Sequence, residues 1–129
     1  MPAEHVRRAW TIVGWIGVAV VAYYSLKPHP PELGIAQGDK IQHFAAYGGM
    51  MLWWVQLAAT RIARVRTAVS LITLGIGLEI AQSFTGYREA SVLDACANSA
   101  GVLLGWALAP PRLPDFLALA KRLHARLEG

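Results

Sequence analysis

Hydrophobic positions along this chain gather into four long runs, and polar positions gather into the gaps between them. The first run covers about residues 10–26 and holds no charge. The second, about 41–59, holds Gln42, His43 and Gln56; the third, about 68–84, holds Glu79 and Gln82. The fourth, about 92–109, holds Asp94 and Asn98. Each run approaches the ~17–25 residues that carry a helix across a bilayer. Nothing alternates with the period of a barrel strand, and a spanning segment must satisfy its own backbone, so helices are expected. The pattern predicts an all-α, polytopic membrane protein with four transmembrane helices, in one domain over residues 1–129.

Breakers and caps mark the same elements. Pro28, Pro30 and Pro31 are expected to stop the first helix, and Asp39 to serve as N-cap of the second. Pro110 and Pro111 close the fourth. Beyond Pro114, Phe116, Leu119, Ala120, Leu123 and Leu127 recur at helical spacing, with Lys121, Arg122 and Arg126 largely on other faces. That spacing predicts a short C-terminal amphipathic helix on the membrane surface. Arg7 and Arg8 ahead of the first run raise the question of a signal peptide. The run is long for one, and Ala22-Tyr23-Tyr24 is a poor cleavage site, so a retained helix is expected.

Composition agrees with lipid contact. Charged residues make up 16% of the 129, against ~25% in a soluble domain. The mean hydropathy is +0.38. A formal net charge of +4 invites a nucleic-acid reading, but the basic residues are dispersed between apolar runs and point to orientation instead. Arg7, Arg8, Arg61, Arg64, Arg66, Arg112, Lys121, Arg122 and Arg126 fall on one side of a four-span topology, and Lys27, Lys40 and Arg88 on the other. The expected placement is a multi-pass protein of the inner membrane with both termini cytoplasmic. Cys96 is the sole cysteine, which excludes an intrachain disulfide and speaks against a thiolate metal centre.

Orientation brings the polar residues inside the runs together. Asp39, Lys40 and His43 lie at the outer end of the second helix, Glu79 and Gln82 near the outer end of the third, and Asp94 and Asn98 at the outer end of the fourth. At 1.5 Å per residue, His43, Glu79 and Asn98 sit ~4–9 Å below the outer boundary. Helical phase places Asp39, His43 and Tyr47 on one face, Gly75, Glu79 and Gln82 on another, and Asp94, Asn98, Gly101 and Gly105 on a third. Gly101-x-x-x-Gly105 is the spacing for close helix contact in lipid. A bundle with a tight base and a polar mouth is expected.

The candidate chemistry follows from residue type. His43 is a candidate general base with Asp39 orienting its ring, and Glu79 and Asp94 are candidate acids or bases. Lys40 and Arg88 suit a phosphate, and Gln82, Asn98 and Tyr47 line the same layer as hydrogen-bonding groups. No nucleophile stands out; Ser91 and Ser83 qualify by location alone. The same groups suit binding without reaction, and the residues do not decide between the two. A purely structural role for the whole set is disfavoured. Interhelical polar pairs contribute about 0.6 kcal/mol on average, while Asp at a helix centre costs roughly 2.5–3.5 kcal/mol to insert. One His with two carboxylates can coordinate a divalent ion, but no His-x-x-x-His spacing marks a metal site, and no cofactor motif is present. Gly14 and Gly17 are candidate contacts for a membrane-protein partner.

The pattern Asp39-Lys40-x-x-His43-x-x-x-Tyr47, then Glu79-x-x-Gln82, then Arg88-x-x-Ser91-x-x-Asp94-x-x-x-Asn98-x-x-Gly101-x-x-x-Gly105, resembles the VanZ-like family of bacterial membrane proteins. The motifs lie within about residues 37–106. The resemblance implies work at the cell envelope, through the family's association with resistance to the glycopeptide teicoplanin. It supplies no ligand and no reaction; Lys40 and Arg88 make a phosphate-bearing lipid or cell-wall precursor the expected ligand, with membrane lipids as partners. A non-catalytic accessory subunit or binding protein of a larger complex is the alternative.

Overall fold

Side-chain caps set where the helices begin. In the computed structural model, which describes residues 2–28 and 32–129, the regular elements are α1 (Pro2–Leu26), α2 (Gly38–Trp54), α3 (Arg61–Ser83), α4 (Val92–Ala107) and α5 (Phe116–Glu128), plus a 3-10 turn at Val55–Leu57. The Thr60 hydroxyl accepts from the Ala63 N–H at 3.1 Å, so α3 starts at Arg61, ahead of the apolar run. Arg61, Arg64 and Arg66 are therefore helical, not loop residues. Ser91 caps α4, accepting from the Asp94 N–H at 3.3 Å, and Asp115 caps α5, accepting from the Ala118 N–H at 2.9 Å.

The expected N-cap of α2 is a correction. Gln37, in the left-handed region at φ 57°, occupies that position, and Asp39 lies inside the first turn, bonded to Lys40. There its negative charge still complements the N-terminal end of the helix dipole. The α2 helix ends at Trp54 and tightens into the 3-10 turn before Ala58 turns extended. The helix stop expected of Pro30 and Pro31 lies outside the described residues.

Among the described residues, α1 and α3 are long and apolar enough to cross a membrane. The α2 and α4 helices have 17 and 16 residues and do not meet that length on their own.

The helices run up, down, up and down. Lys40 meets Asp94, His43 meets Asn98, and Gly48 meets Gly101, so α2 and α4 run in the same direction. A Cβ at Gly101 would stand 2.3 Å from the Phe44 carbonyl oxygen, and one at Gly105 would stand 2.8 Å from the Met51 Cβ. The tight base expected from Gly101-x-x-x-Gly105 is thus the α2–α4 seam. Tyr47, Met50, Met51, Val55, Leu71 and Val102 form the core around it.

The α1 helix runs opposite to α2 and is locked to it by two tryptophans. The Trp10 and Trp53 rings stack at 3.8 Å, and each indole N–H donates to the other's backbone carbonyl at 2.9 Å. Trp54 covers Gly14, where a Cβ would stand 2.7 Å from the ring, so Gly14 is an internal contact and not a free partner surface. Gly17 faces open space. Ile12, Val13, Trp15, Ile16 and Val20 leave an exposed apolar surface along α1, which suits lipid or another apolar partner. The α5 helix docks under the bundle through buried Leu117, whose N–H donates to Gln56 Oε1 at 3.3 Å, and keeps Phe116, Leu119, Leu123 and Leu127 exposed.

Candidate functional site

Three helix ends and the 84–91 connection meet at the end of the bundle opposite α5. They enclose an open cavity of about 650 Å3. Val20, Val21 and Ala46 give it an apolar side; Asp39, His43, Arg88 and Asp94 give it a polar one. The apolar side comes from α1 and the middle of α2, and the polar side from helix ends. The cavity is therefore amphiphilic by construction.

His43, Glu79 and Asp94 converge at the polar side. One ligating atom from each lies within 4.8 Å of the others. They come from α2, α3 and α4, so the site exists only when three helices pack. Asn98 Oδ1 lies 2.9 Å from His43 Nδ1, and Asp94 Oδ2 lies 3.8 Å from His43 Nε2. In the tautomer with Nδ1–H, the ring donates to that carbonyl oxygen and directs its Nε2 lone pair toward the carboxylates. Asn98 is held in place by close packing, since a Cβ at Gly75 would meet its side chain at 3.1 Å.

Asp94 is shared. Its Oδ1 forms an ion pair with Lys40 Nζ at 2.9 Å, without hydrogen-bond geometry, and Lys40 also bonds Asp39. Asp39 and Lys40 precede the apolar segment that begins at Ile41. Glu79 is only 7% exposed, and its Oε2 accepts the Ser91 backbone N–H at 3.0 Å.

These contacts revise several expected roles. The carboxylate beside His43 is Asp94, and Asn98 orients the ring, because Asp39 is turned outward onto Lys40. Arg88 lines the cavity, but its Nη1 donates to the Tyr24 and Lys27 carbonyls at 3.0 and 2.8 Å, tying the end of α1 to the 84–91 connection. Gln82 is buried and its Nε2 donates to the Ser25 carbonyl at 2.6 Å, so it fixes α3 to α1 and does not line the cavity. Its Oε1 is buried without a hydrogen-bond partner among the described residues. Tyr47 is 2% exposed, borders the cavity floor and packs on Gly75. Ser91 Oγ is used as the α4 cap, and Ser83 bonds the Ile80 carbonyl on the exposed side of α3, which leaves neither as a nucleophile beside His43.

The cavity wall also contains Glu32, Tyr87 and Glu89, which sequence reasoning did not single out. They lie outside the apolar runs, where a polar residue is ordinary and gives no signal.

A family model described as VanZ/LLP1 matches residues 4–117. The match runs from α1 to the start of α5 and so reaches past the motif region on both sides. No curated protein and no solved structure matches the chain. With most of its length covered by that model, and with two helices able to span a bilayer, the chain belongs to the VanZ/LLP1 family, in which VanZ is linked to teicoplanin resistance.

Proposed function

We propose that this protein crosses the inner membrane four times and uses the cavity to bind, or act on, a phosphate-bearing lipid or cell-wall precursor at the outer leaflet. The single observation that carries the reading is the joining of one apolar wall to one polar cluster in the same cavity. An amphiphile has the same division: acyl or prenyl carbon lies against Val20, Val21 and Ala46, and the headgroup reaches His43 and Arg88. Four spans follow if α2 is counted with its 3-10 turn. Residues 38–57 then extend roughly 30 Å, the thickness of the hydrocarbon layer. The α4 helix, at roughly 24 Å, crosses with its Ser91 and Pro110 flanks at the interfaces.

Purification in mild detergent followed by native mass spectrometry tests the reading. Wild type is expected to retain a phosphate-bearing lipid or precursor above the level of bulk lipid. Arg88→Ala, which removes a charge-assisted contact of ~1.5–3 kcal/mol, is expected to retain ~10–100-fold less. Equal retention of bulk lipid by wild type and variant would reject the proposal.

A further inference from the structure

The walls of the cavity have the wrong sign for a phosphate. Glu32, Asp39, Glu89 and Asp94 line it, against the single guanidinium of Arg88, which is already bonded to two α1 carbonyls. Behind the wall lies Glu79, more than nine-tenths buried, with one backbone N–H as its hydrogen-bond donor and no ion pair among the described residues. A buried carboxylate without a cation is costly. Lys40 does not reach it, because its ammonium is taken by Asp39 and Asp94.

We infer that His43 Nε2, Glu79 and Asp94 Oδ2 bind one divalent first-row metal ion, Zn2+ or Mn2+, whose remaining positions open onto the cavity. The geometry supports this at each ligand. The imidazole is presented as a metal-binding histidine usually is, with its other nitrogen donating to a carbonyl oxygen, here Asn98 Oδ1 at 2.9 Å. Asp94 is presented through one oxygen, since Lys40 occupies the other. Two ligands about 2.1 Å from a tetrahedral ion stand about 3.4 Å apart. The 3.8 Å between Nε2 and Oδ2 is close to that, and the 4.8 Å limit on the full set closes by side-chain rotation. One nitrogen and two carboxylate oxygens form a mixed donor set that suits Zn2+ or Mn2+, and three protein ligands leave room for more.

The ion supplies what the wall lacks, since a bound dication is the largest local charge and reverses the field around it. An oxygen of an incoming phosphate then completes its coordination. This last step rests on the function proposed above; the ion itself does not.

The full-length protein, purified in mild detergent and stripped with a chelator, is titrated with Mn2+ and with Zn2+ alone. One saturable ion per chain is expected. Glu79→Gln and His43→Ala are each expected to weaken binding at least ~100-fold, and Asn98→Leu, which removes the carbonyl behind the imidazole, ~10–100-fold. Glu32→Gln, a carboxylate on the wall, is expected to leave ion affinity within twofold. Electron spin-echo spectroscopy of bound Mn2+ in the wild type is expected to detect a single coordinated imidazole nitrogen, a readout that needs no variant to fold. Failure of the wild type to bind either ion saturably overturns the inference, as does bound Mn2+ without a nitrogen ligand. Ion binding without retention of a phosphate lipid leaves the metal site standing and removes the lipid reading. Lipid retention by the chelator-treated protein, with no ion taken up, does the reverse.

Discussion

Asn98 separates a structural role from a functional one at the scale of a single residue. It sits 2% exposed between Gly75 and His43, and its carbonyl oxygen faces the ring nitrogen. As an interhelical hydrogen bond it contributes about 0.6 kcal/mol, ~1.7 at most. Asn98→Ala is therefore expected to lower bundle stability by no more than that, measured by SDS-driven unfolding in micelles. A loss of several kcal/mol would make Asn98 a structural residue first. The residues of this site were legible because charge inside an apolar run has no ordinary explanation: His43, Glu79 and Asp94 stood out for that reason. Their pairing was not legible. Asp39 and Asp94 occupy the same layer, and the spacing within α2 favours Asp39 as the partner of His43. The choice between them depends on how α4 is rotated and staggered against α2, and no spacing within one helix carries that. Arg88 and Gln82 show the same limit. Both bond carbonyls of α1, a helix outside the quoted motifs.

At the scale of elements, the α2–α4 seam decides whether the site forms, because it places His43 and Lys40 against Asp94 and Asn98. Gly101 lies at its closest point. A methyl group there meets a backbone carbonyl, which cannot rotate away, so the two helices must separate. Overpacking of this kind costs about 1–3 kcal/mol, and Gly101→Ala is expected at the upper end. Gly77, in the interior of α3 with open space around it, is the internal contrast. There the change to Ala removes backbone entropy from the unfolded chain without a clash, and is expected to be neutral or stabilising by up to about 1 kcal/mol. Unfolding curves for the two variants in the same micelle test both; equal effects would mean that the seam is looser than its geometry. The existence of helices α1 to α4 and the glycine seam was readable from periodicity, while their ends were not. Hydropathy begins α3 at residue 68, whereas the Thr60 cap carries it back to Arg61 through turns that hold three arginines. Apolar composition reports burial or lipid contact, and a helix continues into polar sequence wherever a cap permits.

For the whole molecule, the end of the bundle that faces outward decides which lipids meet the cavity. The pairs that join α1 to α2 at Trp10 and Trp53, and α2 to α4 at Lys40 and Asp94, put the start of α1, the 58–60 connection and α5 at one end and the cavity at the other. Nine of the twelve basic residues fall at the α5 end, and the positive-inside rule therefore predicts a cytoplasmic α5 end. Single cysteines read this directly. With Cys96 replaced by serine, Glu89→Cys on the cavity rim is expected to react with a membrane-impermeant maleimide in intact cells. Ala59→Cys, exposed at the opposite end, is expected to react only after permeabilisation. The reverse labelling would leave the cluster of His43, Glu79 and Asp94 intact and move it to the cytoplasmic leaflet. A headgroup would then have to arrive before translocation, so the labelling pattern decides which leaflet's lipids are offered to the site.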